Sequence, residues 1–280
     1  MTDNKVVTIQ DISCVGQCSI TVALPIISAC GVETIILPSA VLSSHTGGFK
    51  GNTFRDLTED IPKIMAHWQN ENLKFDCLYT GYLGSISQIE YVTALRKNII
   101  KDDGLLIVDP AMADNGKLYS GFNNDFVKNM AKLCGTADII LPNITEAAFM
   151  TDSELMLSEH TPIYIESLIE KLSNLGAKNI ILKGISYDSS KIGIAIHSCQ
   201  DNSTNYYFTT KQPKSSHGTG DCFAAAFTGA LMQGKDLTTA ASLAADFVLE
   251  CLKKTAGDES HWYGVKFEKA LPLLVDALNK

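Results

Sequence analysis

Gly218-Thr219-Gly220-Asp221 is a glycine-rich tetrapeptide that feeds directly into the apolar run Cys222-Phe223-Ala224-Ala225-Ala226-Phe227. Glycines let a backbone fold tightly enough to aim several amides at one point, and a helix starting there adds positive potential. The form is that of a phosphate cradle with a carboxylate, Asp221, at its edge. A plainer reading makes Asp221 an N-cap or first-turn residue and the glycines a turn, since Asp is favoured at helix starts. Asp109-Pro110 ends the run Leu105-Leu106-Ile107-Val108 and leads into an expected loop, Asp114-Asn115-Gly116-Lys117-Leu118-Tyr119. Asn143-Ile144-Thr145-Glu146 follows Ile139-Ile140-Leu141-Pro142 and opens a helix; alone it reads as a capping box, with Asn at the cap and Glu three residues on. Lys183-Gly184 closes another apolar run. Carboxylates facing an anion cradle make chemical sense if a divalent cation sits between them.

Two other segments bear on the cradle. Gly229-Ala-Leu-Met-Gln-Gly234-Lys235-Asp236 nearly matches a P-loop, but its last position is Asp where a magnesium-binding hydroxyl is required. Ala230-Leu231-Met232 continues a helix, so Gly234 is expected to cap it. The segment from Ser43 to Asn52 holds His45, Thr46, three glycines and Phe49 with no periodicity, and is expected to be a loop with an exposed Phe49 that folds over a ligand.

Short apolar runs alternating with helical patterns predict a parallel sheet covered by helices on both faces. Strands are expected at 5–11, 33–38, 75–80, 104–109, 138–142 and 179–184, with helices at 19–30, 57–71, 86–100, 122–134 and 163–175. Lys191–Ser198 and Asn205–Thr210, around Gln200-Asp201-Asn202-Ser203, predict an antiparallel finish. Helices at 219–233, 236–254 and 265–279 follow. This arrangement puts the cradle, Asp109, Asn143, Glu146 and Lys183 on one edge of the sheet, where open α/β sheets bind ligands. No linker or internal repeat divides the 280 residues, so one domain over 1–280 is expected.

Composition restricts the partner. Hydrophobic residues at 45% and charged residues at 19% suit a soluble globular chain with no membrane span. A formal charge of −8 argues against broad nucleic-acid or anionic-lipid surfaces, which makes a small molecule the expected partner. The only arginines are Arg55 and Arg96, so phosphate binding must rely on amides, lysines and a metal. The eight cysteines include no CxxC pair, no HExxH accompanies the six histidines, and the start of the chain has no leader pattern. A zinc site is not expected; reduced, mostly buried cysteines and a cytoplasmic location are.

In their order along the chain these motifs resemble those of the ribokinase-like superfamily, and within it the vitamin B6 (pyridoxal or pyridoxamine) kinases. Ser44-His45-Thr46-Gly47 is similar to the family's substrate loop, and Thr80-Gly81-Tyr82-Leu83-Gly84-Ser85 to its tyrosine-bearing strand end. Asp109-Pro110-Ala111-Met112, Pro142-Asn143-Ile144-Thr145-Glu146 and Gly218-Thr219-Gly220-Asp221 resemble its Asp-Pro element, its Asn-x-x-Glu motif, and its anion hole with catalytic base. The resemblance implies a ribokinase-like α/β fold, a mostly parallel sheet with an antiparallel edge, and ATP-dependent phosphorylation of a 5′-hydroxymethyl group. Asp221 would then take the hydroxyl proton while the Gly218, Thr219 and Gly220 amides hold the γ-phosphate. Asn143, Glu146, Asp109 and Lys183 would serve the nucleotide, with Glu146 and Asp109 holding Mg²⁺; K⁺ is a further candidate cofactor. Asp11, Ser13, Thr46 and Gly47 would contact the ring substrate, with Tyr82 packed on it and Tyr119 a second candidate. A homodimer is also implied.

The sequence departs from the family at Asp11, where many B6 kinases place Ser, and at Ala113, where Gly is common. An acidic Asp11 would favour a cationic substituent such as an aminomethyl group. The nearest competing reading is the hydroxymethylpyrimidine kinase of thiamine synthesis. A non-catalytic ligand-binding module is disfavoured by the presence of Asp221, and a dinucleotide oxidoreductase by the lack of GxGxxG after the first strand.

Overall fold

The computed structural model describes residues 4–213 and 216–279. The elements run β1 (Lys5–Ser13), α1 (Ile20–Ala29), β2 (Glu33–Leu42), β3 (Phe54–Asp56), α2 (Ile61–Asn70), β4 (Phe75–Thr80), α3 (Ile86–Ile99) and β5 (Ile100–Val108). There follow β6 (Ala113–Asp114), β7 (Lys117–Leu118), α4 (Asn124–Cys134), β8 (Ile139–Ile140), α5 (Ile144–Met150), α6 (Pro162–Ser173) and β9 (Asn179–Ile185). The chain ends with β10 (Lys191–Ser198), β11 (Ser203–Thr210), α7 (Thr219–Met232), α8 (Leu237–Thr255) and α9 (Leu271–Leu278).

Nine strands form one sheet in the order β11-β10-β9-β8-β5-β4-β1-β2-β3. The six from β9 to β2 are mutually parallel, β10 and β11 finish one edge antiparallel, and β3 lies antiparallel on β2 at the other. Central strands read as continuous apolar runs because both their faces are covered; Val6, Val7, Thr8 and Ile9 of β1 are all fully buried. Residues of α2 to α6 such as Ile61, Val92, Met130 and Ile165 pack one face. Val22 of α1, Phe227 of α7 and Phe247 of α8 pack the other. All eight cysteines are free, and five of them (Cys30, Cys77, Cys134, Cys222 and Cys251) are buried. Among the described residues no helix is long and apolar enough to cross a membrane.

The structure corrects the sequence reading at several points. Strand β1 continues past residue 11 to Ser13, because after an irregularity between Gln10 and Ile12 its backbone goes on pairing with Val41 and Leu42 of β2. Asp11 therefore lies within the strand, at a position where Asp is normally disfavoured. The expected loop at 114–119 contains a hairpin, β6–β7, turning on Asn115 (φ 49°) and Gly116 (φ 77°), as a two-residue turn with two positive φ values requires. The last helix is split: a 3₁₀ turn at Phe267–Lys269 precedes α9, and Pro272 sits in the first turn of α9, where its missing N–H costs nothing. Phe49 is only half-exposed, because its ring packs 4.6 Å from that of Trp262.

Gly234 does cap α7 as expected. Lys235 N–H donates to Ala230 O and Gly234 N–H to Leu231 O, the paired bonds of a Schellman motif.

Candidate active site

The carboxyl ends of the parallel strands open onto a cleft of about 630 Å³ whose lining includes Asp109, Glu146, Lys183, Gly218, Asp221 and Phe223. A neighbouring cavity of about 440 Å³ shares Asn143, Lys183 and Thr219 with it and continues towards β10, β11 and α8.

The cradle is built by backbone conformation. Gly218 is the N-cap of α7 with φ 79° and ψ 1°, and a Cβ there would fall 1.6 Å from Gln17 O, so no other residue fits. Helix geometry leaves the first amides of α7 without partners inside the helix, and the macrodipole adds positive potential where they point. Gly218 is the N-cap, so Asp221 is a first-turn residue, as the plainer reading also allowed. Burial, and next the charge of Asp109, push its carboxyl up to about 7, while the Ser19 backbone amide and Lys183 pull the other way.

Opposite the cradle, Lys183 Nζ lies 2.8 Å from Asp109 Oδ2, with both side chains almost out of solvent. Burial alone would lower the Lys183 ammonium, but Asp109 and Glu146 outweigh it and hold it above its usual value. The pairing of β8 with β9 resumes at Asn143 and Lys183, which fixes these two residues side by side at the sheet edge. Glu146 completes a capping box: its Oε2 accepts from Asn143 N–H at 2.9 Å while Asn143 Oδ1 accepts from Glu146 N–H at 2.9 Å. Its Oε1 accepts from Met112 N–H at 3.0 Å, which ties the Asp-Pro loop to α5. Burial and then Asp109 raise its carboxyl strongly.

The donor set suits a hard cation, since only carboxylate and amide oxygens are offered and each carboxylate oxygen keeps a second lone pair. Among the described residues no group of three or more His, Cys, Asp or Glu side chains is preassembled around a metal position. Mg²⁺ commonly takes one or two carboxylates together with phosphates and water, so such a cage is not required.

The ring-contact candidates lie apart from this open cleft. Asp11 and Ser13 are buried at the end of β1, beside the switch point where β2 leaves on one side and β4 on the other. Tyr82, just past β4, is half-buried, stacks 5.5 Å from Phe122 and feels the charge of Asp11. Thr46 is exposed on its loop, and none of Asp11, Ser13, Thr46, Gly47 and Tyr82 lines the cleft. Above them His45 accepts from Gly47 N–H at Nδ1, so its Nε2–H donates to Tyr263 O at 2.7 Å, closing the loop onto the 262–263 segment.

Sequence reasoning gave no role to Asp114 and overlooked His217 and Trp262, all of which line the cleft. Asp114 had a signal, its place five residues after Asp109 in the same loop; Trp262 and His217 had none. Tyr119 also lines the cleft, with its side chain reached by solvent.

Residues 20–264 match the phosphomethylpyrimidine kinase family model. A Haemophilus influenzae hydroxymethylpyrimidine/phosphomethylpyrimidine kinase is 29% identical over 195 residues, covering 65% of this chain and 69% of its own. A Bacteroides thetaiotaomicron protein, provisionally named a phosphomethylpyrimidine kinase and solved with pyridoxal, superposes with TM-score 0.92 at 36% identity, covering 98% and 96% of the two chains. The pyridoxal kinase of Lactobacillus plantarum superposes with TM-score 0.88 at 30% identity, covering 99% and 98%. The fold is thus the ribokinase-like α/β fold expected from the motifs, while the matching family is named for phosphomethylpyrimidine and the Haemophilus relative also for hydroxymethylpyrimidine, the substrate that stood second in the sequence reading. With a glycine-capped helix start, a carboxylate in its first turn and this likeness over nearly the whole chain, the molecule is a kinase and belongs to the phosphomethylpyrimidine kinase family.

Proposed function

We propose that the chain transfers the γ-phosphoryl group of ATP to the 5′-hydroxymethyl of a vitamin B6 compound (pyridoxal, pyridoxamine or pyridoxine), giving the 5′-phosphate and ADP. The observation that carries the transfer is the position of Asp221, a carboxylate of raised pKa in the first turn of the helix that forms the cradle. Its ionised form takes the hydroxyl proton as the substrate oxygen attacks the γ-phosphorus and the bond to the β-γ bridging oxygen breaks. The amides of Gly218, Thr219 and Gly220 hold the phosphoryl oxygens as charge gathers on them. Lys183, kept charged by Asp109, faces the nucleotide phosphates. Asp109 and Glu146, with Asn143, would hold Mg²⁺ directly or through water. Such a cation would supply neutralisation of phosphate charge.

The vitamin B6 reading is supported by the likeness to the Lactobacillus enzyme over nearly the full chain and by the pyridoxal in the Bacteroides structure. Asp11, Ser13, Gly47 and Tyr82 are assigned to the ring end, with Thr46 reaching it only when its loop moves. A second reading, phosphorylation of hydroxymethylpyrimidine, is favoured by the family model and by the Haemophilus and Bacillus subtilis kinases of that name. Incubation with ATP, Mg²⁺ and each alcohol, followed by mass and ³¹P analysis of the product, tests both. A 5′-phosphate ester of a B6 compound supports the first, an ester of the pyrimidine alone supports the second, and absence of any ester removes both.

A further inference from the structure

Ser19 stands where α1 begins, and it behaves unlike an ordinary serine at a helix start. Such a residue normally has extended backbone and accepts a hydrogen bond from a first-turn amide. Ser19 does neither. Its φ is 53° and its ψ −137°, a region that residues bearing a Cβ rarely enter, and its side chain makes no capping bond. Backbone strain of this kind persists only where the surroundings over-determine it, and it gathers at functional sites.

The diverted hydroxyl goes to Asp11. Ser19 Oγ donates to Asp11 Oδ1 at 2.5 Å and Ser13 Oγ donates to Oδ2 at 2.7 Å. Asp11 is 4% exposed and Ser19 5%, so these bonds are made away from water, where a bond to a charged acceptor is strongest. The Ser19 backbone lies on the side of the other carboxylate, where its amide favours the ionised form of Asp221, and its carbonyl accepts from Val22 and Ala23 N–H to begin α1. One strained residue therefore holds Asp11 with its side chain, and the segment leading into it abuts the helix that carries Asp221, where Gln17 O lies against Gly218.

We propose that Ser19 is a positioning residue for phosphoryl transfer, fixing Asp11 relative to Asp221 so that a ring held at the end of β1 presents its hydroxymethyl oxygen to the base. The inference rests on the assignment of Asp221 as base and of Asp11 to the ring end. A glycine here would take up the same backbone without strain but would leave Asp11 Oδ1 without its hydroxyl; the presence of serine is explained if that hydroxyl orients the carboxylate.

The test compares Ser19→Gly, Ser19→Ala and Ser19→Thr in the full chain, reading melting temperature together with kcat and KM for ATP and for whichever hydroxymethyl heterocycle the wild type turns over. Ser19→Gly should melt at or above the wild-type temperature yet lose about tenfold or more in kcat/KM for the ring alcohol, the scale of one hydrogen bond to a charged group, with KM for ATP unchanged. Ser19→Ala should show the same kinetic loss with a lower melting temperature than Ser19→Gly. Ser19→Thr returns the hydroxyl on a branched side chain, so it should recover most of the activity while melting lower still. Wild-type kcat/KM in Ser19→Gly, or activity that simply follows melting temperature across the three variants, would overturn the proposal while leaving the kinase reading intact. A wild type that phosphorylates no hydroxymethyl heterocycle would overturn both.

Discussion

Lys183 lies on β9 and Asp109 directly follows β5, strands with β8 between them, yet the two side chains meet at 2.8 Å across the mouth of the cleft. Breaking such a pair from one side leaves a buried charge without its partner. Lys183→Met should therefore lower stability by on the order of 3 kcal/mol and raise KM for ATP. The double variant Lys183→Met/Asp109→Asn should recover part of the stability but not the affinity for ATP. Chemical denaturation and steady-state kinetics check both; a single variant as stable as the wild type would show the pair to be incidental.

Asp221→Asn separates catalysis from folding. Loss of the base should reduce kcat by about 10² or more with KM for ATP nearly unchanged. The folded-state pKa of Asp221 is raised from 3.8 to about 7, so its neutral form suits the fold and its ionised form is penalised. That penalty is absent below the unfolded value, grows as pH rises and is complete above about 7. Asn carries no such penalty, so the variant should melt a few degrees above the wild type at neutral or higher pH, and the gain should vanish in acid. Equal melting temperatures at every pH would mean that the carboxylate is not held against its ionisation.

The same group should set the acid limb of the activity profile. Burial first, then the negative charge of Asp109 and Asp11, raise the carboxyl of Asp221 against the Ser19 amide and Lys183, which leaves it at about 7. In the free enzyme kcat/KM should rise with pH through about this value, because the base acts only when ionised. A profile already flat from pH 5 upward would place the base elsewhere.

The turn and capping box proposed to hold phosphate were legible in the sequence because their geometry depends on local backbone. Gly218 to Asp221 form a continuous turn and helix start, and Asn143 with Glu146 a continuous capping box, so spacing alone located them. The parallel core was legible for a similar reason, since buried strands write themselves as apolar runs. The ring end was not. Ser19 looks like any helix-capping serine until its dihedrals and its reach to Asp11 are seen. Thr46 carries the motif but points to solvent, and the contact of Phe49 with Trp262 joins residues too distant in sequence for any spacing rule to link.

Gly218 tolerates no side chain, because a Cβ there meets Gln17 O at 1.6 Å and the backbone already lies at positive φ. Gly218→Ala should displace the start of α7 or the Gln17 loop and lower kcat at least as far as Asp221→Asn does. Nearly normal turnover in a folded Gly218→Ala protein would mean that the amides of this turn do not hold the transferred phosphoryl group.

Glu146 is assigned two tasks, and Glu146→Gln tells them apart. Both carboxylate oxygens accept backbone amides, from Asn143 and Met112, and an amide side chain can keep only one of those bonds. The melting temperature should fall by several degrees from that loss. If Glu146 also serves Mg²⁺, the metal concentration for half-maximal activity should rise several-fold. A lower melting temperature with an unchanged Mg²⁺ midpoint would leave Glu146 as a brace between α5 and the Asp-Pro loop.

The most direct measurement is the rate of ADP release from ATP and Mg²⁺ with pyridoxal, pyridoxamine, pyridoxine and hydroxymethylpyrimidine in turn, for the wild type and for Asp221→Asn. The account predicts turnover of at least one B6 compound with kcat/KM above that for the pyrimidine, best for pyridoxamine if Asp11 meets its aminomethyl cation, and a loss of about 10² or more in the variant for every alcohol accepted. Turnover of the pyrimidine alone would contradict the substrate assignment, and a fully active Asp221→Asn enzyme would contradict the mechanism.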